Sequence, residues 1–473
     1  MTDDSRPVSG LPTNWAHAPR DALLVAGVIF CVALFGITTR PLGLLAAFWP
    51  ANAVLLGMMI RSPHLASISG WTGAFAGYVA ADLLTGGSLG LTLWMTIANV
   101  AEAATGYLFF RRLPEDHQRL RWPQSIMLLF AVCCCAAAVG AFVGAGAASV
   151  VFERDFSTGL EYWFSTELAN AIVVLPVMLT APQLRDIGWP WPAFATTEGT
   201  RNVMPAAALA ASILIGSLME GPGSFAFPVP ALLWCAVSYS LFTTAILTLV
   251  FSMWGMVIVT GSFATPPADI DLLTWGKSIR LALALIALAP LAVASVNATR
   301  NELLTRLQDS VDHDALTRAL TRSTFVERSE RLLETAGPGT AAFLMLDVDL
   351  FKSVNDRYGH AAGDAALVAF AGSVRQALRK EDLFGRLGGE EFAVYFPRTT
   401  REEAEEIAEH IRRTVEKLPV DVGNGRLVSI TVSGGLAIRT KGNHSTLDAL
   451  FARADAALYR AKAEGRNRII AAE

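Results

Sequence analysis

The sequence predicts an α-helical membrane bundle over the first two-thirds of the chain and a soluble α+β domain over the last third. The 473 residues are 53% hydrophobic and 17% charged, with a mean hydropathy of +0.42, which is typical of a membrane protein. Long apolar segments recur up to residue 298, whereas apolar strands alternate with charged helices from residue 314 onward. We therefore divide the chain into a cytoplasmic tail (1–20), a transmembrane part (21–298), a helical linker (299–313) and a soluble domain (314–473).

Charge and cysteine content argue against two classes of site. The net charge of −4 and the isoelectric point near 6.0 leave no basic footprint, so we expect no nucleic-acid partner. The cysteines lie in apolar segments without the paired spacing of a metal site, at Cys31, Cys133, Cys134, Cys135 and Cys235. We expect them to be packing residues; a metal or redox role for the run from Cys133 to Cys135 is the alternative.

Apolar segments predict the membrane spans. They cover residues 21–39, 42–60, 65–84, 88–110, 124–151, 160–181, 203–219, 225–262 and 277–298. The segment 225–262 is nearly twice as long as one span requires, so we expect two spans that fold back near Ser238–Ser240. The count is then ten, or eight if two weaker segments are re-entrant or merged. The first segment lacks a small-residue cleavage site, which predicts an uncleaved span.

Charged residues between the segments predict the orientation. Basic residues lie in alternate loops, at Arg61, Arg111, Arg112, Arg119, Arg121, Arg185 and Arg201. Acidic residues lie in the other loops, at Glu153, Asp155, Glu161, Glu220, Asp269 and Asp271. Because cytoplasmic loops are enriched in Lys and Arg, we expect the basic loops and both termini in the cytoplasm.

Several polar residues interrupt the apolar segments, at Asn52, Asp82, Asn99, Glu102, Glu167 and Asn170. Such residues are costly in lipid, so we expect them to face the interior of the bundle. We interpret Asn52, Glu102, Glu167 and Asn170 as the lining of a ligand pocket. The alternative is that these side chains only satisfy one another.

The linker 299–313 is charged and helical in pattern. Leu304, Leu307 and Val311 recur at spacings of three and four, which favours a short parallel coiled coil and hence a homodimer. A single packed helix is the alternative.

A tight hairpin turn is predicted at residues 386–392, whose sequence is RLGGEEF. Apolar and aromatic residues flank Gly388 and Gly389 on both sides, as expected of two strands joined by a turn. Glycine has no Cβ, so the phosphate groups of a ligand can approach this backbone closely. Glu390 and Glu391 then project from the tip.

A second acidic cluster ends the predicted buried strand at residues 342–349 (AFLMLDVD). If this strand lies beside the hairpin, Asp347 and Glu390 converge. Carboxylate oxygens that are few in number and open to water suit Mg²⁺ bridging a nucleoside triphosphate. Unrelated charges at a solvated strand end are the alternative.

From about Asp314 to its end, the sequence resembles the GGDEF-type diguanylate cyclase domain, with the GGEEF variant of its signature. The hairpin, the segment 347–364 (DVDLFKSVNDRYGHAAGD) and the segment 462–467 (KAEGRN) carry the resemblance. It implies the nucleotidyl-cyclase and polymerase-palm type of fold, and the conversion of two GTP molecules to cyclic di-GMP and two pyrophosphates. The chain departs from the family at Arg318 and Thr321, where Gly and Asn are usual.

The resemblance also implies roles for individual residues. The metal ligands are Asp347, Glu390, Glu391 and the backbone carbonyl of Val348, for two Mg²⁺ ions per active site, with Mn²⁺ as an alternative. The catalytic residues are Glu390, Glu391, Asp347 and Lys352. The GTP-binding residues are Asn355, Asp364, Lys352, Lys462, Arg466, Gly388 and Gly389.

Donor and acceptor chemistry supports a preference for guanine. An ionised Asp364 only accepts hydrogen bonds, and guanine offers N1–H and an N2 amine where adenine offers an acceptor and no amine. Asn355 supplies a complementary amide. The alternative for both residues is capping of the surrounding turns and helix.

Arg379 and Asp382 form an R-x-x-D motif five residues before Gly388. In the family that this chain resembles, this spacing marks an inhibitory site for the product cyclic di-GMP, and arginine suits phosphates and guanine edges. His410 stands where another basic partner is often seen.

The membrane part resembles the bacterial MASE group of membrane-associated sensor domains through the segments 48–52 (FWPAN) and 167–170 (ELAN), the latter before Pro176. The two resemblances together imply a sensor-regulated enzyme of the bacterial inner membrane, embedded in lipid and with its catalytic domain in the cytoplasm. The alternative is a receptor or transporter whose soluble domain only binds GTP or cyclic di-GMP.

Overall fold

The computed structural model of the chain describes residues 18–39, 46, 48–152, 155–182, 197–219, 223–260, 272–335, 340–422, 426–440 and 445–472. The chain divides into two compact units, and the boundary lies between Asn301 and Glu302. Most of the predicted tail and several predicted loop charges, at Glu153, Arg185, Glu220, Asp269 and Asp271, lie outside the described residues.

The first unit is helical. Its helices are α1 (Ala18–Thr38), α2 (Ala51–Arg61), α3 (Ile68–Leu84), α4 (Leu89–Phe110), α5 (Glu115–Gln118), α6 (Gln124–Phe152), α7 (Phe156–Thr180), α8 (Thr197–Ser217), α9 (Gly223–Ala226), α10 (Val229–Ser238), α11 (Leu241–Thr260) and the first part of α12 (Leu272–Asp312). A 3₁₀ turn, Pro63–Leu65, follows α2. The predicted interruption near Ser238–Ser240 falls where α10 ends and α11 begins.

Four helices of the described part are long and apolar enough to cross a membrane: Ala18–Thr38, Gln124–Ala147, Phe156–Thr180 and Thr274–Asp312. The expected ten spans are therefore not confirmed. The predicted span at 42–60 contributes only the 11 residues of α2, because Pro50 precedes the helix and fixes where it begins. In the long segment 225–262, the helix α10 of the first half is likewise short, with only 10 residues.

Small residues allow the helices of the first unit to approach closely. A Cβ on Gly73 would lie 2.3 Å from the carbonyl oxygen of Ala22, and one on Gly77 would lie 2.6 Å from that of Ala26. Glycine at these two positions therefore lets α1 and α3 pack backbone against backbone. Gly140 makes similar room on α6 for the side chain of Glu102 on α4.

The predicted last span and the predicted linker form one continuous helix, α12. The prediction that the linker is helical is therefore confirmed. Leu304, Leu307 and Val311 are 49% to 63% exposed in the single chain. The coiled coil that would cover them stays a prediction.

The second unit has an α+β fold, as predicted. Its strands are β1 (Leu320–Thr321), β2 (Ala341–Val348), β3 (Leu383–Gly388), β4 (Glu391–Pro397), β5 (Pro419–Asp421), β6 (Leu427–Ser429), β7 (Val432–Arg439) and β8 (Ile469–Ala471). Within the described residues, six of them form a sheet in the order β1-β3-β4-β2-β7-β8, and β5 pairs with β6. The central strand, β2, is buried along its whole length and lies antiparallel to both β4 and β7.

Helices cover the two faces of this sheet. They are α13 (Arg322–Thr335), α14 (Phe351–Tyr358), α15 (His360–Ala377), α16 (Arg401–Glu416) and α17 (Leu447–Ala463). Leu344 and Leu346 of β2 share a core with α15 and α16, whereas Phe343 and Met345 share a core with α13 and α17. Because side chains alternate along a strand, Asp347 at the end of β2 belongs to the same face as Phe343 and Met345, which α17 covers. Helix α17 also carries Lys462, the lysine predicted to bind phosphate.

Candidate active site

The predicted hairpin joins β3 and β4 at residues 388–391. The pairing shifts between Arg386 and Gly388, and Gly389 adopts a left-handed φ of 53°. A Cβ added to Gly388 or Gly389 would meet no atom within 4 Å, so the backbone of the turn is open to an approaching ligand. The hairpin prediction is confirmed.

Asp347 lies beside this turn. It stands opposite Glu391 in the pairing of β2 with β4, and the backbone N–H of Val348 donates to the carbonyl oxygen of Glu390 at 3.2 Å. The Asp347 carboxylate is nearly buried, and Lys462 Nζ lies 2.6 Å from its Oδ2. The structure thus brings Asp347, Glu390 and Lys462 to one edge of the sheet.

The two acidic groups influence each other. Burial raises the pKa of Asp347 above its ordinary value, although the contact with Lys462 opposes the rise. Burial and then the negative charge of Asp347 raise the pKa of Glu390. Repulsion of this kind disfavours two bare carboxylates and is relieved by a cation that both can bind.

The donor set fits Mg²⁺ only in part. Within the described residues, no group of three or more His, Cys, Asp or Glu side chains is arranged to hold a metal ion. Mg²⁺ is commonly bound by one or two carboxylates while water and substrate phosphates complete its shell. Asp347 and Glu390 match that pattern, with Glu391 exposed next to them.

Arg386 supports the hairpin and was missed by the sequence analysis. Its Nε and Nη2 donate to the carbonyl oxygen of Gly389 at 3.0 and 2.8 Å, and its Nη1 donates to Asp314 Oδ1 at 3.0 Å. Burial alone would raise the pKa of Asp314, but hydrogen bonds from Thr317 and Arg386 outweigh it and lower the pKa. Arg386 therefore ties the glycine turn to the first residue of the predicted domain.

Asp349 is a second residue whose function the sequence did not reveal. It is buried, and its carboxylate accepts from Thr431 Oγ1 at 2.8 Å, Ser433 Oγ at 2.7 Å and the backbone N–H of Asn467 at 3.0 Å. These bonds anchor β7 and the turn after α17 to the end of β2. Its proximity in sequence to Asp347 was the only local signal.

The predicted guanine-binding residues lie on neighbouring helices. Asn355 is on α14 and Asp364 is on α15, and a Cβ on Gly363 would lie 2.0 Å from Asn355 Oδ1. Glycine at 363 therefore lets the Asn355 amide reach the residue that precedes Asp364. Asp364 is exposed and Asn355 is half-buried, so both are accessible from solvent.

The basic residues predicted to contact phosphate lie just after β2 and at the end of α17. Lys352 is exposed in the first turn of α14. Lys462 is in the last turn of α17, and Arg466 is exposed in the turn that follows. Lys462 pairs with the Asp347 carboxylate, and the positive charge of Arg466 also acts on it.

The predicted inhibitory residues form a local structure of their own. The backbone N–H of Arg379 donates to Asp382 Oδ2 at 2.8 Å, and Arg379 Nη2 lies 3.9 Å from Glu403 Oε1 on α16. Burial raises the pKa of Asp382. The Arg379 guanidinium is 42% exposed and therefore available to a ligand, while His410 lies exposed further along α16.

Five of the six polar residues predicted to face inward are buried, and the sixth, Asp82, is half-buried and accepts from Thr92 Oγ1 at 2.6 Å. Asn52 Nδ2 donates to Glu102 Oε2 at 2.8 Å and lies within 3.2 Å of both Glu167 Oε2 and Asn99 Oδ1. Asn170 Oδ1 accepts from the backbone N–H of Trp49 at 3.0 Å. The expected burial is therefore confirmed for all but Asp82. Asn52, Asn99, Glu102 and Glu167 satisfy one another, as the alternative proposed, whereas Asn170 bonds to backbone groups, including the carbonyl oxygen of Thr166 at 2.7 Å.

A small cavity adjoins this cluster. It has a volume of about 30 Å³ and is lined by Ala46, Trp49, Met95, Asn99, Trp163, Thr166 and Glu167. The buried Nε1 of Trp163 has no hydrogen-bond partner among the described residues. The cavity includes one of the four predicted pocket residues, Glu167, and a space of this size holds water or a similarly small ligand.

Carboxylates beside an open glycine turn and a lysine suit metal-assisted transfer of a nucleotidyl group. Residues 311–468 match the family model described as diguanylate cyclase, GGDEF domain. The chain is 31% identical over 462 residues to the probable diguanylate cyclase DgcF of Escherichia coli O157:H7, which covers 96% of this chain and 94% of that protein. The chain therefore belongs to the GGDEF family of diguanylate cyclases.

Two further proteins match parts of the chain. The probable diguanylate cyclase DgcF of Escherichia coli strain K12 is 34% identical over 316 residues, which are 65% of this chain and 95% of that protein. A crystal structure of the coiled coil and GGDEF domain of DgcB from Caulobacter crescentus, in complex with c-di-GMP, is 32% identical and covers 39% of this chain and 98% of that chain, with a TM-score of 0.37. The resemblance of the helical unit to MASE sensor domains stays a prediction.

Proposed function

We propose that this diguanylate cyclase works at the bacterial inner membrane and converts two GTP molecules into cyclic di-GMP and two pyrophosphates. The placement of Asp347, Glu390 and Lys462 at one edge of the sheet is the observation that carries this proposal. In each half of the reaction, the 3′-hydroxyl oxygen of one GTP attacks the α-phosphorus of the other. The bond from that phosphorus to the bridging oxygen of the β-phosphate breaks, pyrophosphate leaves, and the hydroxyl proton passes to a base or to water.

The carboxylates would hold the metal. Asp347, Glu390 and the carbonyl of Val348 would be the ligands for two Mg²⁺ ions per site, or Mn²⁺ as an alternative, and Glu391 would assist them or accept the hydroxyl proton. When bound, the metal supplies charge stabilisation to the α-phosphate and the leaving pyrophosphate.

The surrounding side chains would orient the nucleotide. Lys352, Lys462 and Arg466 neutralise the triphosphate, and the open backbone of Gly388 and Gly389 lets it approach. Asp364 accepts from the N1–H and N2 amine of guanine, and Asn355 adds an amide contact. The exposure of Lys352, Asp364 and Arg466 supports these roles because each is accessible to a ligand from solvent.

The reaction needs two GTP-loaded sites that face each other, because one hairpin serves one nucleotide. We propose a homodimer formed through the exposed Leu304, Leu307 and Val311 of α12. Burial of this stripe against a second copy would remove apolar side chains from water.

Regulation is proposed at two places. The buried cluster of Asn52, Glu102, Glu167 and Asn170, with its adjoining cavity, is the proposed sensor pocket, and the four apolar helices support insertion in a lipid bilayer. Arg379 and Asp382 form the proposed inhibitory site for cyclic di-GMP. The accessible Arg379 guanidinium supports that role, since it suits phosphate and guanine edges.

The test is synthesis by the purified full chain in detergent, supplied with GTP and Mg²⁺ and analysed for cyclic di-GMP and pyrophosphate. Glu390→Ala should abolish synthesis, and EDTA should stop the wild-type reaction until Mg²⁺ is restored. Equal melting temperatures for the wild type and the variant would show that the loss is chemical. A well-folded dimer that binds GTP without forming product would overturn the proposed turnover and favour a silent receptor.

A further inference from the structure

The turn that carries Arg466 has an unusual backbone conformation. Gly465, Arg466 and Asn467 have φ angles of 114°, 64° and 46°, so three successive residues have positive φ. Glycine and, less readily, asparagine adopt such angles, whereas arginine rarely does. A conformation of this kind persists only where surrounding contacts hold it.

Asn467 makes those contacts with three polar groups. Its backbone N–H donates to Asp349 Oδ2 at 3.0 Å, and its side-chain Nδ2 donates to Glu416 Oε1 at 2.7 Å. Its Oδ1 accepts from Arg412 Nη1 at 2.8 Å. The turn is therefore fastened both to the end of β2 and to α16.

Arg412 is itself held in place. Its side chain is only 13% exposed, and its Nε donates to the two carboxylate oxygens of Glu409 at 3.1 and 3.0 Å. Its Nη1 also donates to Glu416 Oε2 at 2.9 Å. Because all three residues project from neighbouring turns of one helix, the contact surface for Asn467 is formed before any ligand binds.

We propose that Arg412, Glu416 and Asn467 are positioning residues that aim the Arg466 side chain at the triphosphate of GTP. The backbone angles of the turn fix the direction in which the Cα–Cβ bond of Arg466 points. Loss of the Asn467 contacts would let the turn relax and move the guanidinium away from the phosphates. This inference rests on the proposed contact between Arg466 and the triphosphate.

Asn467→Gly in the full chain provides the test. Glycine adopts positive φ without strain and keeps the backbone N–H that binds Asp349, so this change deletes only the two side-chain contacts with α16. We expect the KM for GTP to rise about tenfold, which is the effect of losing one hydrogen bond to a charged group. Inhibition by GMP, which lacks the β- and γ-phosphates, should change little.

Variants of α16 provide the controls. Arg412→Ala should reproduce the effect, and Arg412→Lys should restore part of it because an ammonium donates without the planar fork. Arg413→Ala is the matched control: within the described residues Arg413 also pairs with Glu409, at 2.9 Å, but its side chain is 66% exposed and does not contact Asn467. Its KM should equal that of the wild type.

Arg466→Ala separates this inference from the function on which it rests. If Arg466→Ala raises the KM for GTP and Asn467→Gly does not, the positioning role is wrong and the phosphate contact stands. If Arg466→Ala leaves the KM unchanged, both fail. With Arg466 already replaced, Asn467→Gly should not raise the KM for GTP further. If the double variant instead loses affinity for GTP and for GMP equally, the turn only supports folding and the inference is overturned.

Discussion

The ammonium of Lys462 lies 2.6 Å from the Asp347 carboxylate and is the closest described cation to it. The carboxylate side chain is 7% exposed, whereas Lys462 is 34% exposed, so the lysine extends from solvent towards a buried anion. A triphosphate that approaches Asp347 through a bound metal would therefore meet Lys462 as well. This arrangement would link the proposed metal site and the proposed phosphate site through one side chain.

Replacement of Lys462 by Ala should lower kcat/KM for GTP about a hundredfold, which is typical for the loss of one charge-stabilising group. Steady-state pyrophosphate release by the full chain measures the change. Lys462→Arg should retain much of the activity because the positive charge is kept. Activity of Lys462→Ala within a factor of about two of wild type would contradict a phosphate role, since that is a negligible free-energy change.

The ion pair between Asp314 and Arg386 should make stability depend on pH. Because the pKa of Asp314 is lowered in the folded state, its ionised form stabilises the fold above the unfolded pKa of about 3.9. That contribution is lost as the pH falls through the lower, folded pKa. Asp314→Asn should lower the free energy of unfolding by about 1–2 kcal/mol at pH 7 and by less below about pH 4.

Urea denaturation of the full chain in detergent at pH 7 and pH 3 measures this difference. Asp309→Asn is the control, because the pair of Asp309 with Arg318 is about half exposed and should contribute little. A destabilisation by Asp314→Asn that stays constant across this pH range would show that the effect comes from shape and not from charge.

Replacement of Arg379 by Ala should leave the initial rate of synthesis intact and weaken inhibition by added cyclic di-GMP at least tenfold, as expected for the loss of bidentate contacts. The guanidinium is 42% exposed and lies 3.9 Å from Glu403 Oε1, so its removal should not disturb the sheet. Lys380→Ala, at the adjacent position, is the matched control. Equal inhibition of the wild type and Arg379→Ala would refute the assignment.

Local patterns predicted much of the soluble unit. Short-range patterns predicted the hairpin, the buried strand before Asp347 and the order of strands and helices, because alternating apolar residues and glycine pairs are recognisable within a few residues. Arg386 with Asp314 and Asn467 with Arg412 were not, because each pair joins residues far apart in sequence and neither partner carries a local signal. Those contacts, however, hold the two turns on which the site depends.

The helical unit was harder to predict for a different reason. Apolarity marks burial in protein as well as in lipid, so segments such as 42–60 were counted as spans although α2 has only 11 residues. The polar residues were more informative: Asn52, Glu102 and Glu167 were expected to face inward because of their cost in lipid, and they lie together. The sequence could not predict which of their atoms form hydrogen bonds with one another.

Asn52 connects four helices, and its replacement by Leu should destabilise the helical unit. On α2, it donates to Glu102 of α4 and Glu167 of α7, and its Oδ1 accepts from Tyr78 of α3 at 2.7 Å. Leucine has a similar volume but leaves several buried polar groups without a partner, which costs about 1–3 kcal/mol for each group. The midpoint of thermal unfolding in detergent should therefore fall by several degrees.

Thr105→Ala on α4 is the control, because that hydroxyl donates only within its own helix, to Ala101. If Asn52→Leu and Thr105→Ala unfold at the same temperature, the cluster does not hold the helices together, and its polar groups would have to be retained for ligand binding instead.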